Sequence, residues 1–348
     1  MAVTRAGRPQ RVTIRDVADE AGVSIATVSR VLNDRADVSA ETRELVQRVM
    51  RERGYKPNRN AQKLSDGRTG FVGVLIPLVY PAYFSTILSG AAEALYQQDM
   101  RLVLSPTQHL YDREVSLLER LTHGATDGAL IVLPEESSPE LEHLLDEGYR
   151  FVVVDPRARL AERVPSVSTA HAAGADQAMR HLLELGHRRI GAITGIPDWV
   201  ASEKRLQGYH AALAGAGILP DPELIVAGDW EIGGGAAAAQ RLLSLPEPPT
   251  AIFAFNDNMA VGALRVARAR GLRVPDELSV IGFDDVELAN VVAPTLTTIR
   301  QPLAELGRMA VDRLVRLLAG QRVEALNVEL GTRLIVREST APAPSPAR

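Results

Sequence analysis

The chain has 348 residues, enough for more than one domain and a sizeable core, and a formal net charge of −4. It contains no cysteine, which excludes disulfides and thiolate metal sites and suits a reducing compartment. The N-terminus is polar and basic, without an apolar signal core, and no apolar run approaches membrane-spanning length, so we expect a cytoplasmic protein with no membrane partner.

The charge is distributed unevenly along the chain. Residues 1–70 hold 14 Lys and Arg against 9 Asp and Glu, whereas the rest of the chain holds 25 against 34. A basic head on an acidic body is typical of a protein that contacts DNA at one end, although ordinary scatter of surface charge also produces such differences.

The first predicted elements are two short helices within residues 12–33. Thr13 can cap the first helix, with Asp16 as its capping-box partner. Gly22 suits the sharp turn between the helices, and Ser24 can cap the second one. The apolar stripe of the first helix is predicted to comprise Val17, Ala18 and Ala21.

The second of these helices has a surface suited to the major groove of B-DNA. Val28, Val31 and Leu32 are predicted to face inwards, which leaves small apolar groups, hydroxyls and one arginine outside. Thymine methyl groups and guanine edges are the natural partners of such side chains. The exposed residues are Ile25, Ala26, Thr27, Ser29 and Arg30. An ordinary helical hairpin would also fit the helix-turn-helix spacing taken alone.

A third helix, residues 40–53 with Ser39 as its cap, is predicted to close a three-helix domain. The motifs DVA-x-x-AGVS-x-x-TVSRV-x-N, VS-x-x-TR, Y-x-PN and R-x-A-x-x-L then occur in a fixed order. In these motifs the chain resembles the headpiece of the lactose-repressor (LacI/GalR-type) family of bacterial transcription regulators. The similarity continues through almost the whole chain, apart from the arm before Val12 and the tail after Ser339.

The resemblance implies how the chain divides and where it contacts DNA. It implies a headpiece at 1–57, a hinge helix and linker at 58–69, and an effector-binding and dimerisation body at 70–340; the Pro/Ala/Ser-rich residues 341–348 are expected to be disordered. Two paired chains would read a near-palindromic operator, with Leu64 wedged into the minor groove. The implied DNA-binding residues are Thr13, Ser24, Ile25, Ala26, Thr27, Ser29, Arg30, Asn33, Tyr55, Asn58, Arg59, Ala61 and Leu64.

Short apolar runs alternate with helical patterns through the body, which indicates parallel sheets with helices on both faces. A break near residues 167–173 predicts two doubly wound lobes with a cleft between them. The resemblance adds three chain crossings, which give one lobe residues 70–168 and 302–330 and the other residues 169–301 and 331–340. The predicted fold is therefore α/β, with a three-helix helix-turn-helix headpiece and a two-lobed, periplasmic-binding-protein-like body.

Ligands of open parallel sheets bind beyond the carboxyl ends of the strands. This rule alone nominates Asp155, Asn256 with Asp257, Asp284 with Asp285, and residues 77–84, because each follows an apolar run. Carboxylates, an amide and aromatic rings in one cleft suit a sugar, whose hydroxyls donate and whose ring stacks. The resemblance implies Asp155, Arg205, Trp230, Asn256, Asp284 and Gln301 as effector contacts; Trp199, Tyr80 and Phe84 are further candidates, although Tyr80 replaces an asparagine that is common in the family.

Structural roles compete with binding at several of these positions. Asp257 and Asp285 each open a predicted helix, where acidic caps are common. Asp284 could cap a helix in the same way, and Trp230 could fill a core.

The motifs disfavour an enzyme. G-x-S-x-G, Walker and H-E-x-x-H motifs are missing from the sequence, and neither a metal nor a cofactor is expected. The expected function is a sugar-responsive, homodimeric repressor of carbohydrate-utilisation genes. Two alternatives stay open: the same regulator with a purine-like co-repressor, and a sugar-binding transport protein, which would need an export signal and no DNA-binding head.

Overall fold

The computed structural model describes residues 12–32, 34–35, 37–55, 68–323 and 325–344. The predicted DNA contacts Asn33, Asn58, Arg59, Ala61 and Leu64 lie outside these residues, as does the proposed hinge helix. The chain divides into two compact units, Met1–Thr69 and Gly70–Arg348.

The first unit contains three helices, α1 (Ile14–Ala21), α2 (Ile25–Leu32) and α3 (Ala40–Glu52). Thr13 and Asp16 form the predicted capping box of α1, and Gly22 ends the helix in the left-handed region at φ 64°. The predicted caps of the other two helices are also present, since Ser24 Oγ accepts from the Thr27 N–H and Ser39 Oγ from the Thr42 N–H. A small core closes the three helices: Val17, Ala18, Ala21, Val28, Val31, Val46 and Val49.

The second unit, called the body, alternates strands and helices as predicted. Its elements in chain order are β1 (Phe71–Ile76), α4 (Ala82–Gln97), β2 (Arg101–Pro106), α5 (Tyr111–Arg120), β3 (Gly128–Val132), α6 (Ser138–Asp146), β4 (Phe151–Val154), β5 (Ser166–Thr169), α7 (His171–Glu184), β6 (Ile190–Thr194), α8 (Val200–Gly215), β7 (Ile225–Ala227), α9 (Ile232–Leu242), β8 (Ala251–Ala254), α10 (Asp257–Ala269), β9 (Ser279–Asp284), α11 (Leu288–Val291), β10 (Thr297–Arg300), α12 (Leu303–Leu318), β11 (Asn327–Leu330) and β12 (Arg333–Ile335).

These elements form two six-stranded sheets, and each sheet defines a lobe. Lobe 1 has the strand order β11-β5-β4-β3-β1-β2, and lobe 2 has the order β12-β10-β9-β8-β6-β7. Neighbouring strands are parallel except at the edge of lobe 2, where β12 runs antiparallel to β10. The chain crosses between lobes after β5, β10 and β11, which agrees with the three crossings implied by the family resemblance.

One helix of lobe 1, α12, lies far from the rest of the lobe in the sequence. Its core includes Leu306, Ala310, Val311 and Leu314 of α12, packed against α4. The two helices meet at glycines: a Cβ on Gly90 would lie 1.9 Å from the Ala304 carbonyl oxygen, so a side chain at this position would push them apart. Lobe 1 is therefore built from two separate stretches of sequence.

The end of the chain packs onto lobe 2 further than expected. The Ala341 N–H donates to Ser279 Oγ, and the Ala343 N–H donates to the Leu185 carbonyl oxygen. The predicted disordered tail from residue 341 therefore begins too early, because backbone hydrogen bonds hold the first residues of that segment. Among the described residues, no helix has both the length and the apolar character needed to cross a membrane.

Candidate functional site

A cavity of about 620 Å³ opens at the carboxyl edges of both sheets of the body. Of the predicted effector contacts, all but Gln301 line it: Tyr80, Phe84, Asp155, Trp199, Arg205, Trp230, Asn256 and Asp284. The volume lies within the range of about 300–1,000 Å³ that is usual for small-molecule sites.

Asp155 is the polar centre on the lobe 1 side. It follows β4 with φ 51°, a left-handed conformation that suits a residue at the sharp end of a strand. Tyr83 of α4 donates its hydroxyl to Oδ2, and His171 Nε2 lies 2.9 Å from Oδ1. Burial acts to raise the pKa of Asp155, but His171, Tyr83 and Arg205 together outweigh it and lower the pKa. Asp155 is therefore an ionised acceptor.

Arg205 of α8 is the cation at the centre of the cleft, with 3% of its surface exposed. Its Nη1 donates to the Phe255 carbonyl oxygen, and its Nη2 lies 3.3 Å from His171 Nδ1 and 3.8 Å from Asp284 Oδ1. Because a guanidinium only donates, His171 Nδ1 accepts, and its Nε2–H is the proton given to Asp155. The guanidinium also lies 3.8 Å from the centre of the Phe283 ring. These contacts fix its orientation.

Asp284 ends β9 and faces the same cavity from lobe 2. Gln301 Nε2 donates to its Oδ1 at 2.6 Å. Burial raises the pKa of Asp284 to about 7, against the opposing effects of Arg205 and Gln301. Helix α11 begins four residues later, with Glu287 before it, so Asp284 does not cap this helix.

Gln301 does not line the cavity and lies behind Asp284. Its Oε1 accepts from the hydroxyl of Thr169, the last residue of β5. Gln301 thus joins two of the three crossings between the lobes to a carboxylate of the cleft. The side chain supports the site without reaching it.

Aromatic side chains form one wall of the cavity. The rings of Trp199 and Trp230 pack at 6.0 Å between centres, inclined by 36°, and Arg157 lies 5.2 Å over Trp199. Tyr80 is exposed at the mouth, whereas Phe84 is buried. Both tryptophans thus combine packing with exposure to the cavity.

Asn256 has a structural and a cavity-lining role at once. Its Oδ1 caps α10 by accepting from the Met259 N–H at 2.8 Å, and its Nδ2 donates to the Trp230 carbonyl oxygen at 2.8 Å. The cap fixes the side chain at the cavity wall and holds the loop that carries Trp230.

Asp257 and Asp285 are structural residues, but neither is the helix cap that was expected, since Asn256 caps α10 and α11 begins only at Leu288. Asp257 accepts from the Val286 N–H and the Thr298 hydroxyl, and burial raises its pKa well above the usual value. Asp285 pairs with Arg300 and Arg337. Among the described residues, no group of three or more His, Asp or Glu could hold a metal ion.

Arg157 and Glu135 at the cavity wall, and His171 behind Asp155 and Arg205, were not predicted from the sequence. His171 stands at the carboxyl end of β5, where the strand-end rule would have selected it, but the sequence indicated only a break there. Arg157 pairs with Glu135 at 2.5 Å, and both line the cavity. Each follows a correctly predicted strand by two or three residues, a spacing at which loop geometry decides where a side chain lies.

The headpiece presents the predicted face of α2 to solvent. Ile25, Ala26 and Arg30 are exposed, whereas Thr27 and Ser29 are half-buried. The hydroxyls of Ser24 and Thr27 lie 2.9 Å apart, so Ser24 fixes the start of the helix as well as offering a polar group. Tyr55 packs against the headpiece core, and Thr13 serves as the cap of α1.

Two family models match the chain. The model for bacterial regulatory proteins of the lacI family covers residues 13–58, and the periplasmic binding protein-like domain covers residues 179–340. Among curated relatives, the repressor CytR of Escherichia coli K12 is 36% identical over 95% of this chain and 97% of its own length. The regulator CelR of Thermobifida fusca is 37% identical over 95% and 99%.

Solved structures of similar proteins extend over the same region. The CelR–cellobiose complex is 36% identical, covers 94% of this chain and 100% of that one, and has a TM-score of 0.73. The lac repressor dimer bound to operator and the anti-inducer ONPF is 32% identical, covers 95% and 100%, and has a TM-score of 0.82. The chain therefore belongs to the lacI family of bacterial regulatory proteins and is a ligand-responsive, DNA-binding transcriptional regulator.

Proposed function

We propose that the protein is a homodimeric repressor of carbohydrate-utilisation genes that a sugar releases from a near-palindromic operator. The observation that carries this proposal is the cleft, where ionised Asp155, the fixed guanidinium of Arg205 and Asp284 face one cavity beside two tryptophans. Carboxylates accept hydrogen bonds from hydroxyls, and a guanidinium donates up to about five. A ring with neighbouring hydroxyls satisfies both at once.

The aromatic wall favours a sugar over a purine. A base held between two aromatic rings needs them about 7 Å apart, because each stacked contact takes about 3.5 Å. The Trp199 and Trp230 rings are 6.0 Å apart between centres and pack on each other, so they offer a surface rather than a slot. The apolar face of a pyranose can lie on such a surface. The related CelR in complex with cellobiose supports the same ligand class.

For DNA binding, we propose the headpiece at 1–57 with α2 in the major groove and a hinge at 58–69 that orders on the operator. Arg30 and the exposed apolar residues of α2 would contact bases, with Leu64 as the minor-groove wedge. Effector binding in the body at 70–340 would disfavour the hinge helices, a coupling typically worth about 1–3 kcal/mol. The cleft binds without chemical turnover, and the protein works in the cytoplasm, where its operator is.

A screen of neutral sugars against the full chain by thermal shift tests the effector class, because a ligand specific for the folded state raises the unfolding temperature. With a sugar that binds, Asp284→Asn should weaken binding about 30-fold or more, since a hydrogen bond to a buried charge is lost. Asp276→Asn, an exposed carboxylate outside the cavity, is the matched control. Wild-type affinity in Asp284→Asn would remove this residue from the site, and binding of nucleosides alone would reject the sugar assignment.

Selection of operator half-sites from random DNA tests the headpiece. Arg30→Ala should lower operator affinity by about 1–3 kcal/mol and relax the preference at one guanine of each half-site. Arg48→Ala, an exposed arginine of α3, should leave the base preference unchanged. An unaltered selection profile for Arg30→Ala would show that this side chain does not read a base.

A further inference from the structure

The two arginines of the cleft already face carboxylates of the protein. Among the described residues, the basic side chains that line the cavity are His109, Arg157 and Arg205. Arg157 lies 2.5 Å from Glu135, His109 lies 3.5 Å from the same residue, and Arg205 lies 3.8 Å from Asp284. An anionic ligand would have to compete with Glu135 for Arg157 and with Asp284 for Arg205, whose Nε is its one nitrogen without a hydrogen-bond partner among the described residues.

Carboxylates also outnumber these cations at the cavity wall. The acidic residues lining it are Glu135, Asp155, Asp229, Glu231 and Asp284. The helices that begin at this edge turn their positive ends towards the cleft and offset part of this excess, with about half a charge each. A phosphate monoester would bring a charge of about −1.5 to −2 into the same space. Its desolvation would be repaid chiefly by Arg or Lys side chains, and both arginines of the described wall already face carboxylates.

The volume gives the size of the occupant. At about 30 Å³ for each water molecule of the liquid, 620 Å³ corresponds to about 20 water molecules. A hexose has about 12 non-hydrogen atoms and a disaccharide about 23, and bonded atoms take less room than separate water molecules, so the cavity admits two rings, whereas one ring leaves much of it empty.

The polar groups are distributed to suit two rings. Asp155, Arg205 and Asp284 form a buried cluster with less than a tenth of each residue exposed. Arg157, Trp199 and Tyr80 line the cavity as a second group, and Tyr80 is 75% exposed at its rim. The first group can fix the hydroxyls of one ring, and the second can stack and hydrogen-bond the other.

We infer that the effector is an uncharged, unphosphorylated disaccharide with one ring in the buried cluster and one at the rim; this inference rests on the proposed function. The regulator would thus respond to the sugar before any phosphorylation step, because phosphorylation would turn it into an anion.

Calorimetry on the full chain tests the inference with cellobiose, maltose, lactose and trehalose, their monosaccharides glucose and galactose, glucose 6-phosphate and trehalose 6-phosphate, and adenosine. At least one neutral disaccharide should bind ten times or more tightly than every monosaccharide and every phosphate ester in the set. A phosphate ester or a monosaccharide that binds as tightly as the best disaccharide overturns the inference and leaves the sugar-responsive repressor standing. Binding of adenosine without any sugar overturns the proposed effector class itself, and binding of no compound counts against both.

One variant and its control test whether the two rings bind in different parts of the cavity. Trp199→Ala should weaken binding of the best disaccharide about tenfold while changing binding of its monosaccharide less than twofold. Tyr96→Ala, an exposed aromatic residue on α4 outside the cavity, is the matched control and should change neither. Equal losses for both ligands in Trp199→Ala, at an unchanged unfolding temperature, would show that no second ring contacts the rim.

Discussion

The body buries carboxylates in two places, and their charge is compensated by a cation in one place and by protonation in the other. In the cleft, Asp155 and Asp284 share the cation Arg205. In lobe 1, Glu114 of α5 and Glu136 in the loop after β3 are 1% and 3% exposed, and among the described residues no Lys, Arg or His lies within 4.0 Å of either carboxylate. Equal burial therefore leads to different protonation states.

Glu114 and Glu136 in lobe 1 avoid a buried negative charge by binding a proton. Burial raises the pKa of Glu114 to about 9, and the hydrogen bond to Glu136 and the repulsion from it add to the effect. Burial also raises the pKa of Glu136. Glu114 Oε1 accepts from the Glu135 N–H at 3.2 Å, so the protonated pair fixes the loop that carries Glu135 to the cavity wall. A structural carboxyl pair can be neutral, whereas a ligand site that accepts hydroxyl protons needs its charge.

Without Arg205, the carboxylates of the cleft should lack a cationic partner, as Glu114 and Glu136 do in lobe 1. Arg205→Met deprives two buried carboxylates of their partner, and breaking a buried pair costs about 3–5 kcal/mol. We expect a loss of stability near the lower end of this range, greater at pH 8 than at pH 5 because the carboxylates then need protons to stay buried. Urea unfolding at both pH values measures it. A loss below about 1 kcal/mol at pH 8 would mean that Arg205 does not hold the carboxylate charge.

Replacing the titrating carboxyl of Glu114 by an amide should stabilise lobe 1. The pKa of Glu114 in the folded protein lies above its ordinary value of 4.5, so the stability it contributes is full below about pH 4.5 and is lost as the pH rises towards about 9. Glu114→Gln donates a hydrogen bond to Glu136 without a titrating proton. We expect it to gain about 1–2 kcal/mol at pH 8 and to flatten the dependence of unfolding free energy on pH. Glu119→Gln, at an exposed position of the same helix, should do neither.

Asp284 is intermediate between the ionised Asp155 and the protonated Glu114, since its pKa is about 7. If sugar hydroxyls donate to its ionised form, effector affinity should rise up to about tenfold from pH 6 to pH 8, as the ionised fraction grows. Calorimetry at several pH values measures the rise, and Asp284→Asn should abolish it. An affinity that falls over this interval would indicate that the protonated acid donates to the ligand.

The smallest expected effect is that of the residue behind the cleft. Gln301→Ala removes the donor to Asp284, which is only partly ionised near neutral pH, and the link to Thr169, so we expect the cost of a typical hydrogen bond, about 1 kcal/mol. We expect about a fivefold loss of effector affinity, with operator affinity in the absence of effector unchanged. If effector affinity is retained and only release from DNA is impaired, Gln301 transmits the signal between lobes rather than shaping the site.

The strand-end rule found the centre of the cleft from sequence because apolar runs mark buried parallel strands well. Asp155, Asn256 and Asp284 each follow such a run, and all three line the cavity. The helices of the headpiece were equally accessible, since the capping residues Thr13, Ser24 and Ser39 lie at the predicted positions.

What the sequence could not supply depends on long-range geometry. His171 contacts Asp155 and Arg205 only because the chain crosses between lobes just before α7. Gln301 follows a strand end like the others, yet Asp284 stands between it and the cavity. The Glu114–Glu136 pair was missed because α5 has the polar composition of a surface helix, and nothing local shows that one of its glutamates is buried against another loop.

The route of the chain through the lobes has a consequence for synthesis. Most residues of lobe 1 leave the ribosome before those of lobe 2, but their core lacks α12 and the sheet lacks β11 until residue 330 has been made. Lobe 2 has five of its six strands in the unbroken stretch 170–301 and can pair them earlier. The nascent protein therefore exposes the apolar side of β3, β4 and β5, which α12 covers in the finished fold, while lobe 2 assembles, so the cleft is complete only after lobe 1 has received its last helix and strand.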